Sequence, residues 1–206
     1  MAHPAPRRRN LVIAAVSLLI AGLALAGCSG AESASAPQTA RDGAGGGGLL
    51  ADHELDDLDT PEVIERLDSM PVDDRPSDLL ASVRPDALVL SDEQQRAVEL
   101  PMPDDQVYVS VAPYRQRTHE CHFHSLTTCE GELGNAAVRV VLTGPGGDVL
   151  LVDETRETFD NGFVGLWVPR DIEATLTIAH EGRTGTARIA TGSDDDPTCI
   201  TNLRLT

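Results

Sequence analysis

From Val107 to Thr206 apolar and polar residues alternate in short runs, the period of a half-buried strand rather than of a helix. The pattern predicts strands at Val107 to Ala112, Ala137 to Thr143, Val149 to Glu154, Gly162 to Val168, Ala174 to Ala179, Thr186 to Thr191 and Ile200 to Leu205. Gly144-Pro145-Gly146-Gly147-Asp148, Asp160-Asn161-Gly162 and His180-Glu181-Gly182-Arg183 separate them, turns whose glycines admit positive φ. Short strands at this spacing, with no alternation of strand and helix, predict a mainly β protein. Its C-terminal domain, 107–206, is read as an antiparallel β-sandwich of immunoglobulin or transthyretin type. A long insertion parts the first two strands.

The preceding stretch, 49–106, changes period. Thr60 as cap and Pro61 as first residue predict a short helix to about Met70, with Val63, Ile64 and Leu67 on one face. A second short helix is expected near Ser77 to Val83 through Leu79, Leu80 and Val83. Ala87 to Leu90 and Ala97 to Leu100 read as strands around the polar Ser91 to Arg96, where Ser91 and Gln94 also fit a capping box. The stretch is expected to form a small acidic α+β domain, a lid or an association module.

Upstream, Arg7, Arg8 and Arg9 precede an apolar run from Leu11 to Leu25, which reads as an export signal over 1–27. Leu25-Ala26-Gly27-Cys28 resembles a bacterial lipobox, making Cys28 the expected lipidation site and placing the protein in the cell envelope, lipid-anchored to the membrane on its outer side. Residues 28–48, rich in Ala, Ser and Gly, cannot bury apolar area and read as a flexible tether.

Charge narrows the partners. The chain of 206 residues carries a formal net charge of −17, and every one of its 16 basic residues is arginine, so nucleic acid is excluded as a partner. Most of the acid lies in 49–106, with 17 acidic against 4 basic residues, and is read as solvated surface.

The candidate chemistry lies in the insertion. His119-Glu-Cys121-His122-Phe-His124-Ser-Leu-Thr-Thr-Cys129 places two thiols and three imidazoles in eleven positions, and Cys199 supplies a third thiol far along the chain. Sulfur and imidazole nitrogen select copper(I) and zinc, whereas calcium and magnesium demand oxygen. With Cys28 taken by lipid three thiols remain, an odd number outside the cytoplasm. That remainder fits a three-thiolate metal site, or a disulfide beside a reactive thiol. A plain staple from the insertion to the last strand through Cys199 stays open, although it does not require imidazoles alongside. His124 is the preferred nitrogen ligand and His122 the second candidate; His119 is read as solvated or hydrogen-bonded. In an extended segment His122 and His124 share one face and Cys121 and Phe123 the other. The acidic surroundings are expected to raise the thiol pKa values. Asp194-Asp195-Asp196 lacks the spaced oxygens of an EF-hand and reads as a turn, while Phe163 and Trp167 read as core.

The run Val107-Tyr108-Val109-Ser110-Val111-Ala112-Pro113-Tyr114, followed by Thr118 to Leu133, resembles the CueP family of exported copper-binding proteins, and the likeness extends more loosely over 55–206. The resemblance implies copper binding through Cys121, Cys129 and Cys199 with a nearby histidine, copper tolerance or metal handover, and in some members cupric reduction. Copper(I) is then the bound ion and copper(II) a candidate substrate. The enzyme reading is the secondary one. A thiol oxidoreductase, a copper-receiving protein and a homodimer are partners consistent with it.

Overall fold

The computed structural model describes residues 41–42 and 46–206. The signal segment, Cys28 and most of the tether lie outside the described residues. In chain order the elements are β1 (Arg41–Asp42), α1 (Gly46–Asp52), α2 (Thr60–Asp68), β2 (Leu79–Val83), β3 (Ala87–Asp92), β4 (Ala97–Pro101), β5 (Gln106–Val111), β6 (Ala137–Thr143), β7 (Val149–Glu157), β8 (Val164–Pro169), β9 (Glu173–His180), β10 (Arg183–Ala190) and β11 (Cys199–Ile200). The protein is mainly β, with three sheets ordered β1-β4-β3-β2, β10-β9-β6-β7 and β11-β5-β8.

Strand β5 is buried on both faces and joins the two halves of the protein. Its odd residues, Val107, Val109 and Val111, enter a core shared with Val164, Leu166 and Val168 of β8 and with Val138, Val140, Leu142, Leu176 and Ile178 from the opposing four-stranded sheet. On the other face Tyr108 enters a second core, built from Val63, Ile64 and Leu67 of α2, Leu79, Ala81 and Val83 of β2, Leu88 and Leu90 of β3, and Leu126 of the insertion. The acidic N-terminal stretch therefore packs on the reverse of the central sheet.

Four local expectations change. The cap of α2 is Asp59, not Thr60: its carboxylate accepts from Glu62 N at 3.0 Å while the Glu62 side chain accepts from Asp59 N at 2.9 Å, a reciprocal box. The expected helix at Ser77 to Val83 is strand β2, because Leu79, Ala81 and Val83 alternate inward while Leu80 stands exposed. The expected last strand shortens to β11, which pairs parallel to β5, so the C-terminal part is not wholly antiparallel. Gly46 to Gly48, the end of the expected tether, open α1, whose Leu49 is fully buried.

Candidate metal centre

The insertion between β5 and β6 contains no long regular element, and its shape comes from polar pins. The Glu132 carboxylate accepts from the backbone N–H groups of Arg115, Gln116 and Arg117 at 2.9, 2.8 and 3.0 Å. Those three bonds hold its pKa down at about 2, and they fix the chain just before the motif. Gly131 N donates to Asn161 O at 2.6 Å, and a Cβ on Gly162 would lie 2.7 Å from the Gly131 carbonyl carbon. Gly162 also has φ of 79°, so both its missing side chain and its backbone freedom let the 160–162 turn press on the insertion. On the far side Ser125 bridges Ser82 of β2, with Val83 N donating to His124 O and Leu126 N to Ala81 O.

The backbone bends within the motif, so the strand-like facing of His122 with His124 does not hold. The His122 carbonyl accepts from Thr198 N and Cys199 N, which lays the motif against the last strand, while its exposed ring meets Asp195 O at 3.0 Å and stacks edge-on to Phe123. His124 is instead buried. Its backbone N donates to Thr198 Oγ1, which in turn donates to Val83 O.

This folding brings the three distant thiols together. Cys121 and Cys199 form a disulfide with Cα atoms 5.7 Å apart, and Cys129 is a buried free thiol whose Sγ lies 3.5 Å from Cys121 Sγ. A ring nitrogen of His119 and the three sulfurs all lie within 4.8 Å of one another. His119 Nε2 is shielded from solvent and has no hydrogen-bond partner among the described residues. A shielded imidazole nitrogen beside three sulfurs is a donor set that suits a soft metal ion. The ring of Phe163, fully buried as expected, walls the cluster 4.5 Å from His124 and 6.2 Å from His119, centroid to centroid. A cleft of about 500 Å³ reaches Cys121 and Cys199 past Thr118, His119, His122 and Arg188.

Behind the sulfurs stands an acid that the sequence reading did not identify. Asp68, the last residue of α2, is fully buried and accepts from His124 Nε2 at 3.0 Å, Tyr108 Oη at 2.7 Å, Asn161 Nδ2 at 2.8 Å and Ser110 Oγ at 3.2 Å. The bond at Nε2 leaves His124 Nδ1 toward the sulfurs, 3.8 Å from Cys199 Sγ. Burial opposes a charge on His124, but the Asp68 carboxylate and the neighbouring Cys129 raise its pKa to about 9. Burial likewise opposes a Cys129 thiolate, yet His124, the Ser125 backbone and His119 outweigh it and bring that thiol down to about 7. The expectation that acidic surroundings raise the thiol is reversed at Cys129, because the nearest charge is an imidazolium. Arg75 adds a second cation, its Nη1 donating to Cys129 O at 2.8 Å. Asp68 had one sequence signal: it stands four residues after Ile64, on the apolar face of the helix. Arg75 and Asn161 had none.

The Asp194 to Asp196 run is a turn closed by Ser193 N donating to Asp196 Oδ2 and Asp196 N to Ser193 O.

Residues 62–204 match a family model described as "Periplasmic copper-binding protein CueP". Among solved structures, the one titled "Crystal Structure of S.CueP" is similar at 38% identity and a TM-score of 0.71, covering 77% of this chain and 96% of its own. No curated protein matches the chain.

Proposed function

The chain belongs to the CueP family of periplasmic copper-binding proteins, and from that premise we propose that it sequesters one copper(I) ion per monomer once the Cys121–Cys199 disulfide has been reduced. Cys121, Cys129 and Cys199 supply the thiolates, whose softness matches copper(I). His119 offers the unpartnered nitrogen, and His124 turns Nδ1 to the same sulfurs. His122 is the weakest ligand of the set, because its ring is engaged with the Asp195 carbonyl. The observation that carries the proposal is the closeness of three sulfurs and a ring nitrogen, all within 4.8 Å.

The test is titration of the reduced protein against a competing copper(I) chelator. Uptake of one equivalent is expected, lost in the triple Cys→Ser variant and weakened less by His124→Ala than by loss of any single cysteine. Unchanged uptake in the triple variant overturns the reading.

Copper(II) reduction at the same sulfurs is the second reading, favoured by a disulfide and a free thiol meeting at one site. Two copper(II) ions take one electron each as the Cys121 and Cys199 thiolates become the disulfide, and an envelope thiol oxidoreductase or small thiol restores them. One stoichiometric burst of copper(I), with no turnover under a thiol donor, favours binding alone. In a third reading the same disulfide only staples the insertion to β11. We also place the chain in the envelope through lipid on Cys28, a reading that rests on the lipobox and the flexible composition after it; among the described residues no helix is long and apolar enough to cross a membrane. Globomycin-sensitive processing of the precursor tests the anchor. The immunoglobulin- or transthyretin-like type of the paired C-terminal sheets likewise stands as our reading of their shared core.

A further inference from the structure

We propose that Cys121 is shared between two alternative disulfides, and that in the oxidised protein Cys129 displaces Cys199 from it. The sulfur of Cys129 lies 3.5 Å from that of Cys121, at van der Waals contact and on a sulfur already bonded to Cys199. The two outer cysteines sit on fixed backbone. Cys199 is held in the β11–β5 ladder opposite Ser110, with its N–H on His122 O; Cys129 is held by its N–H on Ser125 O and by Arg75 on its carbonyl. Cys121 lies between them on a stretch without helix or strand, so a change of partner asks mainly for rotation of its own side chain.

The step balances without any outside oxidant or reductant. Cys129, after losing its proton, attacks Cys121 Sγ; the 129–121 bond forms as the 121–199 bond breaks, and Cys199 leaves as a thiolate that takes up one proton. The protein holds one disulfide and one thiol before and after. What changes is where the thiol stands. Both cysteines are buried in one cluster with Phe163, but only Cys199 lines the cleft, so exchange moves the free thiol to the cleft wall, beside His124 Nδ1. The step needs no metal, so its failure leaves the copper(I) reading standing.

The test uses the full chain carrying Cys28→Ser, air-oxidised so that one disulfide and one thiol remain. It is incubated with iodoacetamide under native conditions, quenched in acid over a time course and mapped by mass spectrometry without reduction. Peptides with Cys199 alkylated and a Cys121–Cys129 bond are expected beside those with Cys129 alkylated, and the first class grows with time. Cys199→Ser is expected to form the Cys121–Cys129 bond on air oxidation. Alkylation confined to Cys129 throughout, or a Cys129–Cys199 bond leaving Cys121 free, overturns the proposal.

Discussion

Asp68 Oδ1 lies 3.0 Å from His124 Nε2, and both side chains are wholly shielded from solvent. One comes from a helix of the N-terminal stretch and the other from the insertion that carries the cysteines. The pair therefore couples packing of α2 on the central sheet to orientation of an imidazole at the sulfurs. A carboxylate that accepts four bonds is satisfied only while Tyr108, Ser110, Asn161 and His124 all keep their places, so the arrangement is cooperative.

Breaking that pair is costly. Removing one partner of a buried ion pair leaves the other charge without compensation, at about 3–5 kcal/mol. Asp68→Asn and His124→Gln are each expected to destabilise the protein on that scale in urea unfolding. The double variant is expected to fall well short of the sum, because the second change removes a group already stranded.

The pair also sets a pH dependence. The folded His124 titrates at about 9, above its ordinary 6.5, so its contribution is fully present below pH 6.5 and is lost as pH rises through 9. The folded Asp68 lies below its ordinary value, so its contribution is present above the ordinary carboxylate range and is lost as pH falls further. Cys129 acts in the opposite sense, because its folded pKa lies at about 7, below the ordinary 9.0, so the His124 effect is read in the Cys129→Ser background. There urea midpoints are expected to decline from pH 6.5 to 10, and to decline less over that interval when His124→Gln is added.

Cys129 is expected to react as a low-pKa thiol. In the air-oxidised Cys28→Ser chain, initial iodoacetamide labelling of Cys129 is expected to follow a midpoint near pH 7, moving toward the ordinary thiol value of 9.0 in His124→Gln. A midpoint unchanged by that variant contradicts the assignment of His124 as the activating cation.

The strands of the C-terminal part were legible because two-residue alternation survives wherever one face is buried. β6 begins and ends at the expected residues, and β5 lies within one residue of expectation. The last strand was not legible beyond Ile200, since Leu203 O and Leu205 N bond to Tyr114 in an isolated bridge and not in a ladder, and apolar content alone cannot tell the two apart. Leu79, Leu80 and Val83 fit either period; the sheet decided, by pairing all three with β3 while burying Leu79 and Val83 and turning Leu80 to solvent. At the site, residue type pointed to the sulfurs. The convergence of Cys199 with the motif depends on β11 pairing with β5, and the pairing of Asp68 with His124 on α2 docking, contacts across 78 and 56 residues that no local pattern encodes.

Gly165 controls the reach of Tyr108. The two strands place Gly165 opposite Ser110, and a Cβ on Gly165 would lie 1.7 Å from Tyr108 Oη, so the phenol reaches Asp68 only because that side chain is missing. Gly165→Ala is expected to cost about 1–3 kcal/mol from overpacking, and more if the Asp68 bond breaks. Tyr108→Leu relieves the clash, so Gly165→Ala is expected to cost less in that background than in the native one.

Copper(I) and the disulfide are expected to stabilise the same fold in alternation. The bond between Cys121 and Cys199 closes a sequence separation of 78 residues, which in the chain-entropy account is worth on the order of 4 kcal/mol. Reduction is therefore expected to lower Tm. Copper(I) added to the reduced protein binds the native thiolate cluster and not the separated thiols of the unfolded chain, so Tm is expected to rise again with free copper(I) in excess of its Kd. Cys129→Ser separates the two effects: it leaves the Cys121–Cys199 disulfide able to form but removes one sulfur, and most of the copper-dependent rise in the reduced form is expected to vanish. Differential scanning calorimetry of the oxidised, reduced and copper-loaded forms checks each step, and a reduced protein whose Tm copper(I) does not move assigns the cysteines to stapling alone.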